Sequence, residues 1–161
     1  MNPLFFKINN KSELIITGNV VEKFYKYRQL KKGQNEAGGL LIGRHLAMND
    51  NILVDQLTEP SVWDNRFYAY FYRSNTHNKK LKNIWKKSNK TQTLIGLWHT
   101  HPQPVPEPSS VDYKDWRKTI KHGDFVGDFL FFLIIGINKI RVWQGNRSTH
   151  FFELIEINKQ Y

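Results

Sequence analysis

The feature that most constrains the fold is a nine-residue apolar run at residues 129–137. Asp128 precedes the run, and Asn138 and Lys139 follow it. A membrane-spanning helix needs about 20 apolar residues, so this run is too short to cross a bilayer. A strand with one solvated face alternates apolar and polar residues, whereas a strand covered on both faces is continuously apolar. We therefore predict an interior strand of a sheet that is covered on both sides.

Hydropathy patterns along the rest of the chain predict both helices and strands. Apolar residues at helical spacing predict helices over residues 18–32, 76–88 and 109–121. Apolar or alternating runs predict strands over residues 14–17, 38–46, 52–57, 66–73, 93–100, 126–137, 139–143 and 149–157. We expect an α+β (mixed α/β) fold in which one sheet packs against two or three helices. Because no repeat or long linker divides the chain, we expect residues 1–161 to form a single domain.

Composition excludes several classes of protein. The chain has no cysteine, which excludes a disulfide framework, a Cys-ligated zinc site and a thiol nucleophile. It carries 24 Lys and Arg against 14 Asp and Glu, a formal net charge of +10. That balance favours acidic partners such as nucleic acid, and it is equally typical of a solvated surface. The first residues have no signal-peptide pattern, so we expect a cytoplasmic protein without membrane association.

Two histidines at the end of a predicted strand form the most informative motif. His99 and His101 are two residues apart, so both imidazoles face the same side of the strand. Ser109 and Asp112 lie at the start of the next predicted helix, and their spacing places them on one helix face. Two histidine nitrogens and one carboxylate oxygen bind a tetrahedral zinc with one position left open, as in catalytic sites. Manganese and iron accept the same donors.

Each part of the motif also has a structural interpretation. An isolated His-x-His pair is usually a surface or core feature, and Ser109-x-x-Asp112 is also an imperfect capping box. Only the combination His-x-His-x7-Ser-x2-Asp, at a strand end and a helix start, favours a metal site. A metal-bound water also needs a base. Glu36 is a candidate because Gly38 and Gly39 follow it and allow close approach, although by itself it is an ordinary loop carboxylate.

These residues resemble the motif of the JAB/MPN metallopeptidases, also called the JAMM family. The family motif is a remote Glu followed by His-x-His-x7-Ser-x2-Asp, matched here by Glu36, His99, His101, Ser109 and Asp112. The resemblance implies that His99, His101 and Asp112 bind Zn²⁺. It also implies that Glu36 is the general base and that Ser109 stabilises the oxyanion. The implied fold is a mixed sheet flanked by helices, similar to the cytidine deaminase architecture.

The resemblance extends over residues 13–145 and points to one bacterial branch of the family. Residues 36–44, 58–73 and 98–116 look like the short, stand-alone JAB proteins of defence islands, including the deconjugating peptidases of type II CBASS antiphage operons. The implied partner is the C-terminal tail of a ubiquitin-like-conjugated protein, in that branch a cGAS-like nucleotidyltransferase. Extended tails commonly bind by adding a strand to a sheet edge. Arg66 and Arg73 are candidates to line the groove for such a tail.

Other functions stay open at this point. The same chemistry would serve a bacterial ubiquitin-like modifier or a sulfur-carrier protein. A non-catalytic scaffold is a further alternative, although all five motif positions are intact. The positive charge, with a lysine-rich face on residues 76–88, also suggests a nucleic-acid-binding module, which would show steep salt dependence.

Overall fold

The computed structural model describes residues 1–159, which form three helices and a large mixed sheet. The helices are α1 (Gly18–Tyr27), α2 (Thr76–Lys87) and α3 (Ser110–His122). The strands are β1 (Leu4–Lys7), β2 (Glu13–Ile16), β3 (Gly38–His45), β4 (Ile52–Leu57), β5 (Asn65–Phe67), β6 (Tyr70–Tyr72), β7 (Thr93–Thr100), β8 (Phe129–Ile135), β9 (Ile140–Asn146), β10 (Phe151–Glu153) and β11 (Ile155–Glu156). The α+β prediction is confirmed. No helix within residues 1–159 is long and apolar enough to cross a membrane.

The main sheet has nine strands in the order β10-β9-β8-β7-β3-β4-β2-β1-β11, and β5 and β6 form a separate hairpin. Strand pairs β2–β4 and β7–β8 are parallel, and the other pairs are antiparallel. The two outermost strands are separated in sequence by Leu154 alone, whose N–H donates to the Val142 carbonyl at 2.8 Å. The two edges of the sheet therefore meet at this segment, and the sheet curves around its core.

Strand β8 is covered on both faces, as its unbroken apolar sequence predicts. Phe131, Leu133 and Ile135 pack into one core cluster, which also contains the buried face of α1. Leu130, Phe132 and Ile134 pack into the other, with the buried face of α3 and part of α2. Each buried side chain of this size contributes about 1.5–3 kcal/mol relative to exposure. The sheet thus forms a rigid central layer with helices on either side.

Helix α1 ends at Tyr27, earlier than the predicted residue 32. Arg28 has φ −53° and ψ 139°, which is incompatible with a further helical turn. Two glutamines organise the following loop in place of the helix. The Gln34 amide donates to the Arg28 carbonyl, and the Gln29 amide donates to the carbonyls of Gln34 and Tyr68. The spacing of apolar residues does not predict these side-chain hydrogen bonds.

Two predicted strands are each divided in the structure. Residues 66–73 do not form one strand, because the chain reverses at Tyr68 and Ala69 between β5 and β6. That turn carries none of the Gly, Asn or Asp residues that usually mark a hairpin. Residues 149–157 contain β10 and β11, which pair with opposite edges of the sheet. Strand β1, which was not predicted, pairs with β2 in an antiparallel register.

Candidate active site

The centre of the sheet brings the five motif residues together. His99 is on β7, between antiparallel β3 and parallel β8. His101 follows the strand, and its N–H donates to the Ile135 carbonyl at 3.0 Å. The proline-rich loop then leads to α3, so that Asp112 returns to the end of β7. Because the two histidines are two residues apart and side chains alternate along an extended chain, both imidazoles face this point, as the sequence predicts.

His99, His101 and Asp112 form a group in which one candidate ligand atom from each side chain lies within 4.8 Å of the others. His99 Nε2 is 3.0 Å from His101 Nε2 and 3.0 Å from Asp112 Oδ1, and His101 Nε2 is 3.4 Å from Asp112 Oδ2. Donor atoms of a tetrahedral zinc with bonds of about 2.0–2.1 Å lie about 3.3 Å apart. The donor set and its spacing therefore fit a zinc ion.

Glu36 lies beside this group, with Oε1 at 3.8 Å from His101 Nε2. Its side chain is only 5% exposed. Burial raises the pKa of Glu36 to about 8; the positive charge of His101 opposes the rise, and the negative charge of Asp112 adds to it. The sequence prediction of a close approach at Gly38 is confirmed, since a Cβ there would lie 2.6 Å from the Phe71 ring.

Ser109 is the N-cap of α3 and also contacts the cluster. Its hydroxyl donates to Asp112 Oδ2 at 2.7 Å, and its Oγ accepts from the Asp112 N–H at 3.2 Å. The Ser109 N–H donates to the same carboxylate oxygen at 2.6 Å, which completes a capping box. The capping interpretation and the metal-site interpretation of this pair are therefore compatible.

Charge and hydrogen bonding keep Asp112 ionised. Although burial acts to raise it, hydrogen bonds from His101 and His99 hold the pKa of Asp112 far below its ordinary value. The position of Asp112 in the first turn of α3 also favours a negative charge. For His101, burial acts to lower the pKa, but contacts with Asp112 and Glu36 raise it overall. The metal-free group is thus a set of coupled charges that a dication would compensate.

Gln103 is a site residue that sequence reasoning missed. Its Oε1 lies 3.3 Å from His101 Nδ1 and also accepts from the Glu107 N–H at 2.9 Å. Because a carbonyl oxygen only accepts, the Nδ1 atom carries a proton, and Nε2, which faces His99 and Asp112, is the nitrogen that would bind a metal. The only sequence signal is its position two residues after His101.

An open cleft of about 340 Å³ lies over the cluster. One wall is the β5–β6 hairpin and the other is the proline-rich loop, held by Arg141 through the Pro106 carbonyl at 3.0 Å. Arg73 lines the cleft, as predicted, and binds both oxygens of Asp115 at 2.8 and 2.9 Å. Arg66 has a different role, because its Nε donates to the Glu36 carbonyl at 2.7 Å. A cleft of this form has room for an extended chain segment.

Comparison with known proteins places the chain in a family. The sequence pattern of the prokaryotic homologues of the JAB domain matches residues 19–148. A Vibrio cholerae protein named CD-NTase/cGAS isopeptidase is 30% identical over 98% of this chain and 94% of its own length. An Escherichia coli protein of the same name is 30% identical over 91% of this chain and 90% of its own.

A solved structure supports the fold independently. The solution structure of a protein from Desulfitobacterium hafniense superposes with a TM-score of 0.61 at 19% identity. The superposition covers 86% of this chain and 87% of that protein. Sequence pattern, relatives and fold agree, and the chain therefore belongs to the family of prokaryotic homologues of the JAB domain.

Proposed function

We propose that this protein is a zinc-dependent isopeptidase that removes the conjugated C-terminal tail of a cGAS-like nucleotidyltransferase from its target. The observation that carries the proposal is the convergence of His99, His101 and Asp112 on one point, with Glu36 beside them. The name of the two relatives at 30% identity supports the substrate class. We also propose a single JAB/MPN domain over residues 1–161, acting in the bacterial cytoplasm in antiviral defence.

Zinc, held by His99, His101 and Asp112, would supply Lewis acidity and a water of lowered pKa. Glu36 takes a proton from the attacking water as the water oxygen bonds to the amide carbon. The same carboxyl then delivers that proton to the leaving lysine amine as the C–N bond breaks. Its position beside the donor group, 3.8 Å from His101 Nε2, places this carboxyl where it can serve both steps.

Ser109 would act on the carbonyl oxygen. Its hydroxyl lies at the cleft and is oriented by Asp112. When the carbonyl carbon becomes tetrahedral, the hydroxyl turns its single proton from Asp112 Oδ2 to the oxyanion. Loss of a donor to the oxyanion costs about 10²–10³ in rate.

The substrate tail would lie in the cleft between the hairpin and the proline-rich loop. The hairpin pairs β5 with β6, and β6, which lines the cleft, would offer its outer edge to an added strand. Tyr70 and Phe71 supply apolar contacts along this wall. Backbone pairing would hold the tail extended, with its last peptide bond over the metal group.

A cleavage assay tests the proposal. The substrate is a matching cGAS-like nucleotidyltransferase with a reporter fused to its C-terminus. We expect cleavage at the junction, and loss of cleavage both in Glu36→Ala and after chelation. A ubiquitin-like modifier and a sulfur-carrier protein, fused in the same way, serve as comparison substrates. If only one of these comparison substrates is cleaved, that protein replaces the nucleotidyltransferase as the proposed substrate. If the purified protein binds no zinc, the result supports a non-catalytic scaffold.

A further inference from the structure

One buried carboxylate joins both ends of the segment that forms the hairpin wall. We call residues 61–74 the flap; the segment follows β4 and precedes α2. Asp64 Oδ2 accepts from the Ser61 N–H at 2.6 Å, and Asp64 Oδ1 accepts from the Ser74 N–H at 2.8 Å. The Asp64 side chain has no exposed surface. The first and last residues of the flap are therefore fixed to the same side chain.

His77 connects this carboxylate to the sheet. The histidine is 1% exposed, and its Nε2 lies 2.9 and 3.1 Å from the two Asp64 oxygens. Its Nδ1 is 2.6 Å from Thr58 Oγ1, which accepts from the Leu40 N–H at 2.7 Å. Because the ionised Asp64 only accepts, the neutral imidazole carries its proton on Nε2 and donates it to Asp64, so Nδ1 accepts from the Thr58 hydroxyl. A continuous chain of hydrogen bonds thus runs from β3 to the base of the flap.

The hairpin end of the flap holds Glu36 by its backbone. The Glu36 N–H donates to the Phe67 carbonyl at 2.8 Å, and the Glu36 carbonyl accepts from Arg66 Nε at 2.7 Å. The Gln29 amide donates to the Tyr68 carbonyl at 2.8 Å, which fixes the hairpin turn. Both backbone groups of Glu36 therefore bond to the flap and not to a strand of the main sheet.

We infer that Thr58, Asp64 and His77 form an anchor that positions Glu36 by holding the flap in place. The inference rests on the proposed role of Glu36 as general base. The candidate metal ligands lie outside the flap, on β7 and α3 or beside them, so the anchor acts on the base and not on metal binding. A displacement of about 1 Å at a reacting group reduces turnover by about 10²-fold.

The experiment replaces His77 with leucine, which fills similar space and removes both hydrogen bonds. In His77→Leu we expect kcat to fall by about 10- to 100-fold. Amide hydrogen exchange at Glu36 becomes at least about ten-fold faster, because the flap opens locally. The zinc Kd, measured by chelator competition, stays at the wild-type value. His77→Gln restores a donor to Asp64 and recovers part of kcat.

A matched control separates positioning from general stability. Asp55→Asn weakens a partly buried carboxylate away from the flap, which accepts from Arg44 Nε at 3.0 Å and Gln92 Nε2 at 2.8 Å. We expect lower thermal stability in this control, with unchanged kcat and unchanged exchange at Glu36. Arg66→Met removes the side-chain hydrogen bond from the flap to the Glu36 carbonyl at a partly exposed position, and it replaces His77→Leu if that variant does not fold.

The two failures are distinguishable. A wild-type protein that cleaves no conjugate refutes the proposed function. In that case the rate of amide hydrogen exchange at Glu36 alone decides whether the anchor holds Glu36 in place. In an active enzyme, the inference is overturned if folded His77→Leu keeps the wild-type kcat or the wild-type rate of amide hydrogen exchange at Glu36. The same two outcomes decide the inference for Arg66→Met where that variant is used instead. A zinc Kd that weakens together with kcat also overturns it, because the anchor would then act on the metal group.

Discussion

The Ser109 hydroxyl donates to Asp112 Oδ2 at 2.7 Å, while the Asp112 N–H donates back to Ser109 Oγ at 3.2 Å. The two residues thereby begin helix α3 and orient a candidate metal ligand in one arrangement. This pair therefore links the structure of the helix N-terminus to the orientation of the candidate ligand. A test of Ser109 must therefore separate capping from chemistry.

Ser109→Ala and Ser109→Thr provide that separation. Ser109→Ala removes both the cap and the oxyanion donor, so we expect stability to fall by about 0.5–2 kcal/mol and turnover by about 10²–10³. Ser109→Thr keeps a hydroxyl for both roles and should retain most turnover. Denaturant unfolding and steady-state kinetics measure the two effects. An alanine variant that is less stable but fully active would leave Ser109 as a helix cap only.

Glu36→Ala should retain zinc and lose turnover, because a general base is not a metal ligand. Glu36 Oε1 is 3.8 Å from His101 Nε2 and lies outside the three-residue donor group. Loss of a general base reduces turnover by about 10²–10⁴. Metal stoichiometry and kcat on the same sample test this prediction. Zinc loss from a folded variant would make Glu36 a ligand.

Zinc affinity should weaken as the pH falls. Asp112 and Glu36 raise the pKa of His101 in the metal-free protein, although burial opposes them, so protons compete with the metal at this nitrogen. The depressed pKa of Asp112 keeps that ligand ionised throughout. Affinity falls about ten-fold per pH unit for each proton displaced. Chelator competition from pH 8 to pH 6 measures the slope, and a flat profile would contradict the assignment of His101.

Glu59 should contribute stability at neutral pH that is lost in acid. A hydrogen bond from Tyr27 lowers the pKa of Glu59 from 4.5 to about 2; burial opposes the shift, and Lys23 and Lys26 add to it. Because the folded pKa lies below the unfolded one, the contribution is complete above about pH 4.5 and disappears toward about pH 2.

Glu59→Gln should therefore lower the stability by less than about 1 kcal/mol at neutral pH, since the group is partly exposed. The difference from wild type should vanish below about pH 2. Thermal melts across this range give the comparison. Glu22→Gln, at an exposed position of α1, is the control and should leave the curve unchanged. A constant difference at all pH values would contradict an ionic origin.

Local rules predicted the parts of the site that depend on short spacing. The alternation of side chains along an extended strand predicted that His99 and His101 share one face. Helical spacing predicted that Ser109 lies near Asp112. Glu36 is 63 residues before His99 in sequence, and only family resemblance connected it to them. The contacts of Gln103, Asp64 and His77 depend on chain segments that meet only in the folded protein. Neither hydropathy periodicity nor secondary-structure propensity predicts these contacts.

The meeting of the two sheet edges around Leu154 has a consequence for folding during synthesis. Strand β11 pairs with β1, so β1, which is synthesised earlier, waits for residues 155 and 156 before its outer backbone groups are bonded. Until then β1 is an open edge, and open edges recruit strands from other chains. Removal of residues 151–156 would expose β9 and β1 together. We expect such truncations to aggregate in the cell before they lose any part of the metal group.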